Sequence, residues 1–431
     1  MVTKSEFFKG ERKAMNHGAV KWWRYENIIM VSFGLLWGLI FLDRLGITYI
    51  FPNIAADLQL TNAQLGLTMS IVAFTWGISS VIFAFISDSI GKRKNFLVFF
   101  VFMFSIATFG VGLAQSIIAL LVARAIIGLA EGPSIPLIQA SMMAESTPSR
   151  RGFNAGFIIA MSSLIGGLTP TLIVAIAGHL GWRYALYSMS IPGILLGIFL
   201  WIYMREPRLS NESEKDVSHV SKMKWSDVKI VLKSRNVWLC VIGAIFQMGG
   251  PILTFSSFGP LYLMKEGGFS QTAAAAIFSI YGIAQFVWSA LMPWLSDRFG
   301  RKPVVLTVMF VQMLLPISFL LFHNIHGMIV LAVITFSCGS CLAPLTFFTI
   351  PGESVPPVSA ATAMSLVNLV GEVIGGTLGP ALGGMFADRY GIAAPIWIVL
   401  LATIVTFILF LGLKETAPAK RNFEFSKTIA Q

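Results

Sequence analysis

Apolar residues run through the chain in long blocks, parted by short breaks rich in charge, glycine or proline. Twelve blocks can be marked: 27–50, 65–87, 95–113, 117–141, 153–178, 184–204, 237–263, 272–295, 303–322, 327–350, 360–386 and 392–413. In none does apolar character keep to one face, as it does in a helix lying on a water-facing surface. About 20 residues of helix match the hydrocarbon thickness of a bilayer. Lipid offers no partner to backbone N–H and C=O groups, so each block is predicted to be a helix. The pattern predicts an all-α membrane protein with twelve transmembrane helices.

Composition agrees. Of 431 residues, 56% are apolar and 12% charged, whereas a soluble domain is about 25% charged. That balance excludes an ordinary water-soluble enzyme and a disordered chain. Three cysteines (Cys240, Cys338, Cys341) make no disulfide framework. Cys338 and Cys341 form a C-x-x-C, but inside an apolar block, where small packing residues are the expected reading. The first 24 residues are polar and basic, with no apolar core or cleavage site of a signal peptide.

The net charge of +11 first suggests a polyanionic partner, but its placement argues otherwise. Of the 31 Lys and Arg, 26 fall in segments on the N-terminal side of the predicted membrane. Only Arg183, Lys265 and Arg389 fall on the other side, and Arg44 and Arg124 lie within spans. This bias predicts both termini in the cytoplasm of a multi-pass protein of the plasma (inner) membrane, in contact with lipid. It accounts for the charge without nucleic acid.

The chain also resembles itself. Asp88-Ser-Ile-Gly91-Lys-Arg93 aligns with Asp297-Arg-Phe-Gly300-Arg301-Lys at an offset of 209. Glu145-Ser-Thr-Pro148 matches Glu353-Ser-Val-Pro356, Gly166-Gly167 matches Gly375-Gly376, and Pro170 matches Pro380, all within one residue of that offset. Each landmark follows the same number of spans. The predicted organisation is a cytoplasmic segment 1–26, a six-helix bundle 27–204, a cytoplasmic linker 205–236, a second six-helix bundle 237–413 and a cytoplasmic tail 414–431. Paired D-x-x-G-[KR]-[KR] loops in such a 6+6 chain resemble the major facilitator superfamily. The resemblance covers residues 25–413. It implies a parallel pseudo-repeat, a protein working as a monomer, and a cytoplasmic gate held by Asp88, Gly91, Arg93, Asp297, Gly300 and Arg301.

A charge at the bilayer centre costs about 2.5–3.5 kcal/mol on insertion scales, so the few inside the spans are informative. They are Asp43 and Arg44 in the first, Arg124 and Glu131 in the fourth, and Glu372 in the eleventh. Arg124 and Glu131, seven apart, share a helix face. Asp43 and Arg44 point about 100° apart, so one is expected to meet the fourth span while the other faces the central cavity. Arginine supplies a fixed charge and a planar fork suited to carboxylate, and a buried carboxylate can titrate as its partner moves. The set reads as a proton-coupled anion site, or structurally as ion pairs that fix two helices.

Leu42-Asp43-Arg44 together with Arg124-Ala-Ile-Ile-Gly128-Leu-Ala-Glu131-Gly132 resembles the anion:cation symporter branch of that superfamily, which carries hexonates, hexuronates and phthalate with protons. The resemblance implies Asp43 and Glu131 as proton carriers, and Arg44 and Arg124 as contacts to the cargo anion or as counter-charges. Phe41 stands where sugar-acid carriers often have Tyr, and Trp76 and Glu372 are further departures. They leave room for a larger or more apolar carboxylate.

Glu372 and Asn368, four apart, are expected to face the cavity from the second half. There they read as hydrogen-bonding contacts to the cargo, or Glu372 as a second titrating carboxylate, or Glu372 as paired with a backbone or neighbouring span that sets packing. Tyr281 and Gln285, also four apart, and Trp76 are candidate cargo contacts; packing accounts equally for each. All five histidines fall in termini, loops or span ends, which favours carboxylates over a histidine relay. No H-E-x-x-H, G-x-S-x-G or Walker loop is present. The expected function is a secondary transporter, not an enzyme, importing a small organic anion by proton symport. It needs no cofactor beyond the proton gradient. A proton-coupled exporter on the same fold is the alternative, though two intramembrane arginines suit an anion better than a cationic drug.

Overall fold

The computed structural model describes residues 25–90, 92–147, 150–206, 230–253 and 257–417. Gly91, residues 1–24, most of the predicted linker and residues 418–431 lie outside the described residues. Among the described residues every regular element is helical. Among those residues, ten helices are long and apolar enough to cross a membrane.

The first part of the chain forms α1 (Tyr25–Leu58), α2 (Asn62–Ile90), α3 (Arg93–Gly112), α4 (Ile117–Glu131), α5 (Ser134–Glu145), α6 (Arg151–Leu180) and α7 (Trp182–Tyr203). The second forms α8 (Arg235–Leu253), α9 (Gly259–Lys265), α10 (Gln271–Phe299), α11 (Arg301–Phe322), α12 (His326–Phe336), α13 (Ile350–Glu353), α14 (Pro357–Val370), α15 (Thr377–Tyr390) and α16 (Ala394–Leu411).

The seventh predicted span is described as two helices, α8 and α9, and three others are less regular than their apolar runs suggested. The fourth is divided into α4 and α5 at Gly132-Pro133. A Cβ at Gly132 would collide with Ser79 of α2, so the break lies where two helices are in close contact. The tenth passes from α12 through a 3-10 turn, Ser337–Leu342, and a π segment, Pro344–Thr349, before α13. Pro344 has no N–H to give to the ladder, which frees the turn to rearrange. The eleventh holds a π segment, Gly371–Gly376, between α14 and α15.

Three buried cores organise the molecule. One, built on Ile29, Phe33, Phe100 and Leu200, belongs to the first half alone. A second, built on Val241, Val305, Leu342 and Phe410, belongs to the second half alone. Both lie at the end of the bundle that carries Tyr25 and Leu413. At the opposite end a single core, including Ile50, Phe51, Ile173, Phe258, Phe278 and Ile396, runs across both halves. The halves are therefore welded at one end and packed separately at the other.

Polar and backbone contacts bind the welded end. Gln271 Nε2 donates to the Tyr49 carbonyl at 2.7 Å and to Asn53 at 2.8 Å. The hydroxyls of Thr171 on α6 and Ser279 on α10 lie 2.7 Å apart. Beside them Gly167 and Gly282 meet so closely that a Cβ on Gly282 would overlap the Gly167 backbone. Small residues permit this approach of helix axes, as at many membrane helix contacts.

Candidate functional site

Helix α1 is fixed in rotation by three glycines. Gly34 and Gly38 rest on Met161 and Ile165 of α6, and Gly46 on Met189 of α7. In that orientation Asp43 points to α3 and α4 while Arg44 points across to the second half.

Asp43 is buried, with its Oδ2 3.4 Å from Arg124 Nη1 and its Oδ1 2.7 Å from the Thr108 hydroxyl on α3. The side chains of Arg124 and Asp43 are only 1% and 4% exposed. Nη2 of Arg124 faces the Met69 sulfur at 3.8 Å, and its Nε has no hydrogen-bond partner among the described residues. Arg124 is thus a buried cation with donors left over.

Arg44 pairs with Glu372 from the π segment of the second half. The Arg44 guanidinium also lies over the Trp76 ring, 4.8 Å from its centroid. Trp37 stands 6.0 Å from Trp76 and 5.3 Å from Phe41, ring centre to ring centre. Aromatic faces attract a cation, so this wall holds the arginine in place.

Glu131 is fully buried, and neither carboxylate oxygen has a hydrogen-bond partner among the described residues. Glu131 holds neither arginine in this state, since Arg44 is held by Glu372 and Arg124 by Asp43. The reason is helical geometry. Side chains lean toward the helix N-terminus, so Arg124 and Glu131 lean the same way. Their separation of two turns, about 10 Å along the axis, is not closed. Asp43, Arg124 and Arg44 remain the charges that act on Glu131.

The other predicted contacts are distributed around this set. Trp76 joins it directly. Tyr281 is buried, with its hydroxyl 2.5 Å from Ser340 in the 3-10 turn. The Gln285 carbonyl accepts from the Cys341 thiol at 3.2 Å, and its amide has no bonded partner among the described residues. Cys338 and Cys341 are buried free thiols. Asn368 is half-buried on α14, one turn before Glu372, and its side chain likewise has no bonded partner among the described residues. Thr108 and Ser340 carry no sequence signal that marks them. Neither does Gln247 of α8, which accepts from Thr346 at 2.8 Å.

Of the two predicted gate loops, the second is described in full. Gly300 joins α10 to α11 at φ +101°, where a side chain would be strained. Arg301 binds Asp297 at 2.5 Å, Glu353 at 3.0 Å and Ser296 at 2.6 Å. In the first loop Arg93, the repeat partner of Lys302, opens α3, and Asp88 lies in the last turn of α2.

Long apolar helices, two halves joined at one end, and five ionisable groups drawn together between them define a polytopic membrane transporter. The Major Facilitator Superfamily model matches residues 33–376, and the chain belongs to that family. It is a transporter and not an enzyme. Among its relatives is a Cupriavidus necator protein named as a probable sulfoacetate transporter, SauU, 25% identical over 85% of this chain and 88% of the relative. Another is a D-galactonate transporter of Escherichia coli, 23% identical over 90% of this chain and 96% of the relative. In fold the chain is similar to a bacterial homolog of the human lysosomal transporter Spinster, solved inward-facing and unoccupied. The TM-score is 0.71 at 19% identity, over 91% of this chain and 96% of that one.

Proposed function

We propose that the protein imports an organic carboxylate together with protons across the plasma (inner) membrane. Twelve spans in two six-helix bundles, 27–204 and 237–413, rock about a midplane site, with segment 1–26, linker 205–236, tail 414–431 and both termini in the cytoplasm. The 26-to-three bias of Lys and Arg supports that orientation. In it the welded end faces outward, so the state described is open to the cytoplasm. The gate motif around Arg301 and its repeat would close the other end in the alternate state.

One observation carries the reading. Arg44 and Arg124 are kept inside the bundle, each on a carboxylate that can release it, beside a third carboxylate, Glu131, that holds neither. Arg44 and Arg124 receive the cargo anion, with Trp76 as a wall and Tyr281, Gln285 and Asn368 bounding the second half. Asp43, Glu131 and Glu372 carry protons. A charge in such a place is expensive unless it trades partners in a working cycle. The relatives named for sulfoacetate and D-galactonate support an anionic cargo. The protein works as a monomer, with no nucleic acid partner.

The test is a thermal-shift screen of sugar acids, aromatic acids and other carboxylates on the purified protein, followed by uptake into liposomes. Accumulation of a stabilising carboxylate should follow an imposed proton gradient and collapse with an uncoupler. Accumulation indifferent to the gradient would remove the symport reading.

A further inference from the structure

Arg44 and Glu372 form the ion pair of the site that crosses between the halves, and its charges reach accessible surface. The Arg44 side chain is 18% exposed and Glu372 10%, against 1% and 4% for Arg124 and Asp43. An anion entering between the halves meets Arg44 before Arg124, and finds its Nη2 already held by Glu372.

The occupant is firmly placed. Glu372 stands at the start of the π segment Gly371–Gly376, a departure from α geometry that recurs at functional sites. Gly375 presses on the Ile245 carbonyl of α8, and Val373 fills the space beside Gly77 of α2. Wedged on both sides, the segment keeps Glu372 in reach of Arg44 while the halves stay together. Trp76 fixes the other partner from behind.

The geometry points to Glu372 as a tethered competitor of the cargo: its carboxylate occupies Arg44 where the cargo carboxylate must bind, and sets the threshold for binding. This deepens the organic-anion reading above and rests on it. Cargo with a planar two-oxygen anion can match the guanidinium fork and displace Glu372. Cargo with a single anionic oxygen cannot. A direct cargo contact would have the opposite signature, because removing it weakens binding. Removing a competitor tightens it. A competitor in place nine-tenths of the time raises the apparent Kd about tenfold.

The experiment has two arms on the purified full-length protein in detergent, with Glu372→Gln and, as a second variant, the shorter Glu372→Asp. In the first, phenylglyoxal modification of Arg44 is timed by mass spectrometry of its peptide, with no cargo present. Labelling should be several-fold faster in both variants than in the wild type. In the second, a panel of sugar acids, aromatic acids and aliphatic carboxylates is titrated by thermal shift. Probes that bind the wild type should bind Glu372→Gln about tenfold more tightly. Unchanged labelling, or weaker binding by the variants, overturns the competitor and leaves the organic-anion reading standing. If no carboxylate binds either protein, the organic-anion reading itself falls, and the competitor with it.

Discussion

The carboxylate of Asp388, near the end of α15, accepts the backbone N–H of Ala63 at 2.8 Å, and that of Asn62 at 3.0 Å, across the boundary between the halves. Those two amides open α2 and have no acceptor within their own helix. Asp388 is therefore a helix cap supplied by the other half, set against the positive end of the helix dipole. Just below it Gly384 and Gly66 let α15 and α2 approach to backbone contact, and Ser70 donates to the Thr377 carbonyl at 2.7 Å. The cap exists only while this end is closed.

Asp388→Ala should therefore favour opening of the welded end. Loss of a cap is worth about 1 kcal/mol, or about fivefold in the closed-to-open ratio. The readout is disulfide formation between Thr171→Cys and Ser279→Cys, whose parent hydroxyls are 2.7 Å apart. The closed-to-open ratio read from the cross-linking rate should fall about fivefold in the Asp388→Ala background, with Asp388→Asn intermediate. An unchanged rate shows that the cap does not hold the closed end.

Gly282→Val offers a steric counterpart. Its side chain would enter the Gly167 backbone on the opposing half, where no flexible neighbour can yield. Folding of each half should survive, since the clash lies between them. Cross-linking of the Thr171→Cys and Ser279→Cys pair should be nearly lost, and transport with it, while monodispersity on size exclusion is retained. A variant that cross-links and transports like the wild type would show that this contact is not needed for closure.

The Asp43–Arg124 pair should behave as one unit. Breaking a buried pair by removing one partner costs about 3–5 kcal/mol, because the survivor keeps an unpaired charge. Asp43→Asn and Arg124→Gln should each lower the unfolding midpoint sharply. Combined, they should cost much less than the sum, with a coupling of at least 1 kcal/mol. The double variant should regain stability but not proton-driven uptake. Additive losses would mean the two residues are stabilised by separate surroundings.

How far these features could be read from residues alone depended on what each is made of. A charge in an apolar run is conspicuous because burial is expensive, and so Asp43, Arg44, Arg124, Glu131 and Glu372 stood out together. Their pairing did not, because it depends on how α1 is rotated by Gly34, Gly38 and Gly46 against α6 and α7. Arg124 pairs with Asp43 rather than with Glu131, its neighbour in sequence, for that reason. Span existence followed from hydropathy, but hydropathy does not distinguish an α turn from the π segments at Pro344–Thr349 and Gly371–Gly376. Asp388 does not stand out in the sequence, because a carboxylate at a span end carries no desolvation signal. Its partner is a pair of backbone amides, which have no letter in the sequence.

Glu131 gives the sharpest contrast with Asp43. Both are buried carboxylates, but Asp43 has Arg124 and Thr108, while neither oxygen of Glu131 has a bonded partner among the described residues. A carboxylate without partners is costly to ionise in low dielectric, and a neutral isostere removes that cost. Glu131→Gln should therefore raise the unfolding midpoint, opposite in sign to Asp43→Asn. If Glu131 carries the coupling proton, the same variant should lose uphill accumulation driven by a proton gradient. It should still exchange internal for external cargo, because the arginines that receive the anion are untouched. Counterflow in liposomes separates the two activities. Normal gradient-driven uptake by Glu131→Gln would remove Glu131 from the coupling machinery, and a lowered midpoint would mean that its carboxylate has a stabilising partner after all.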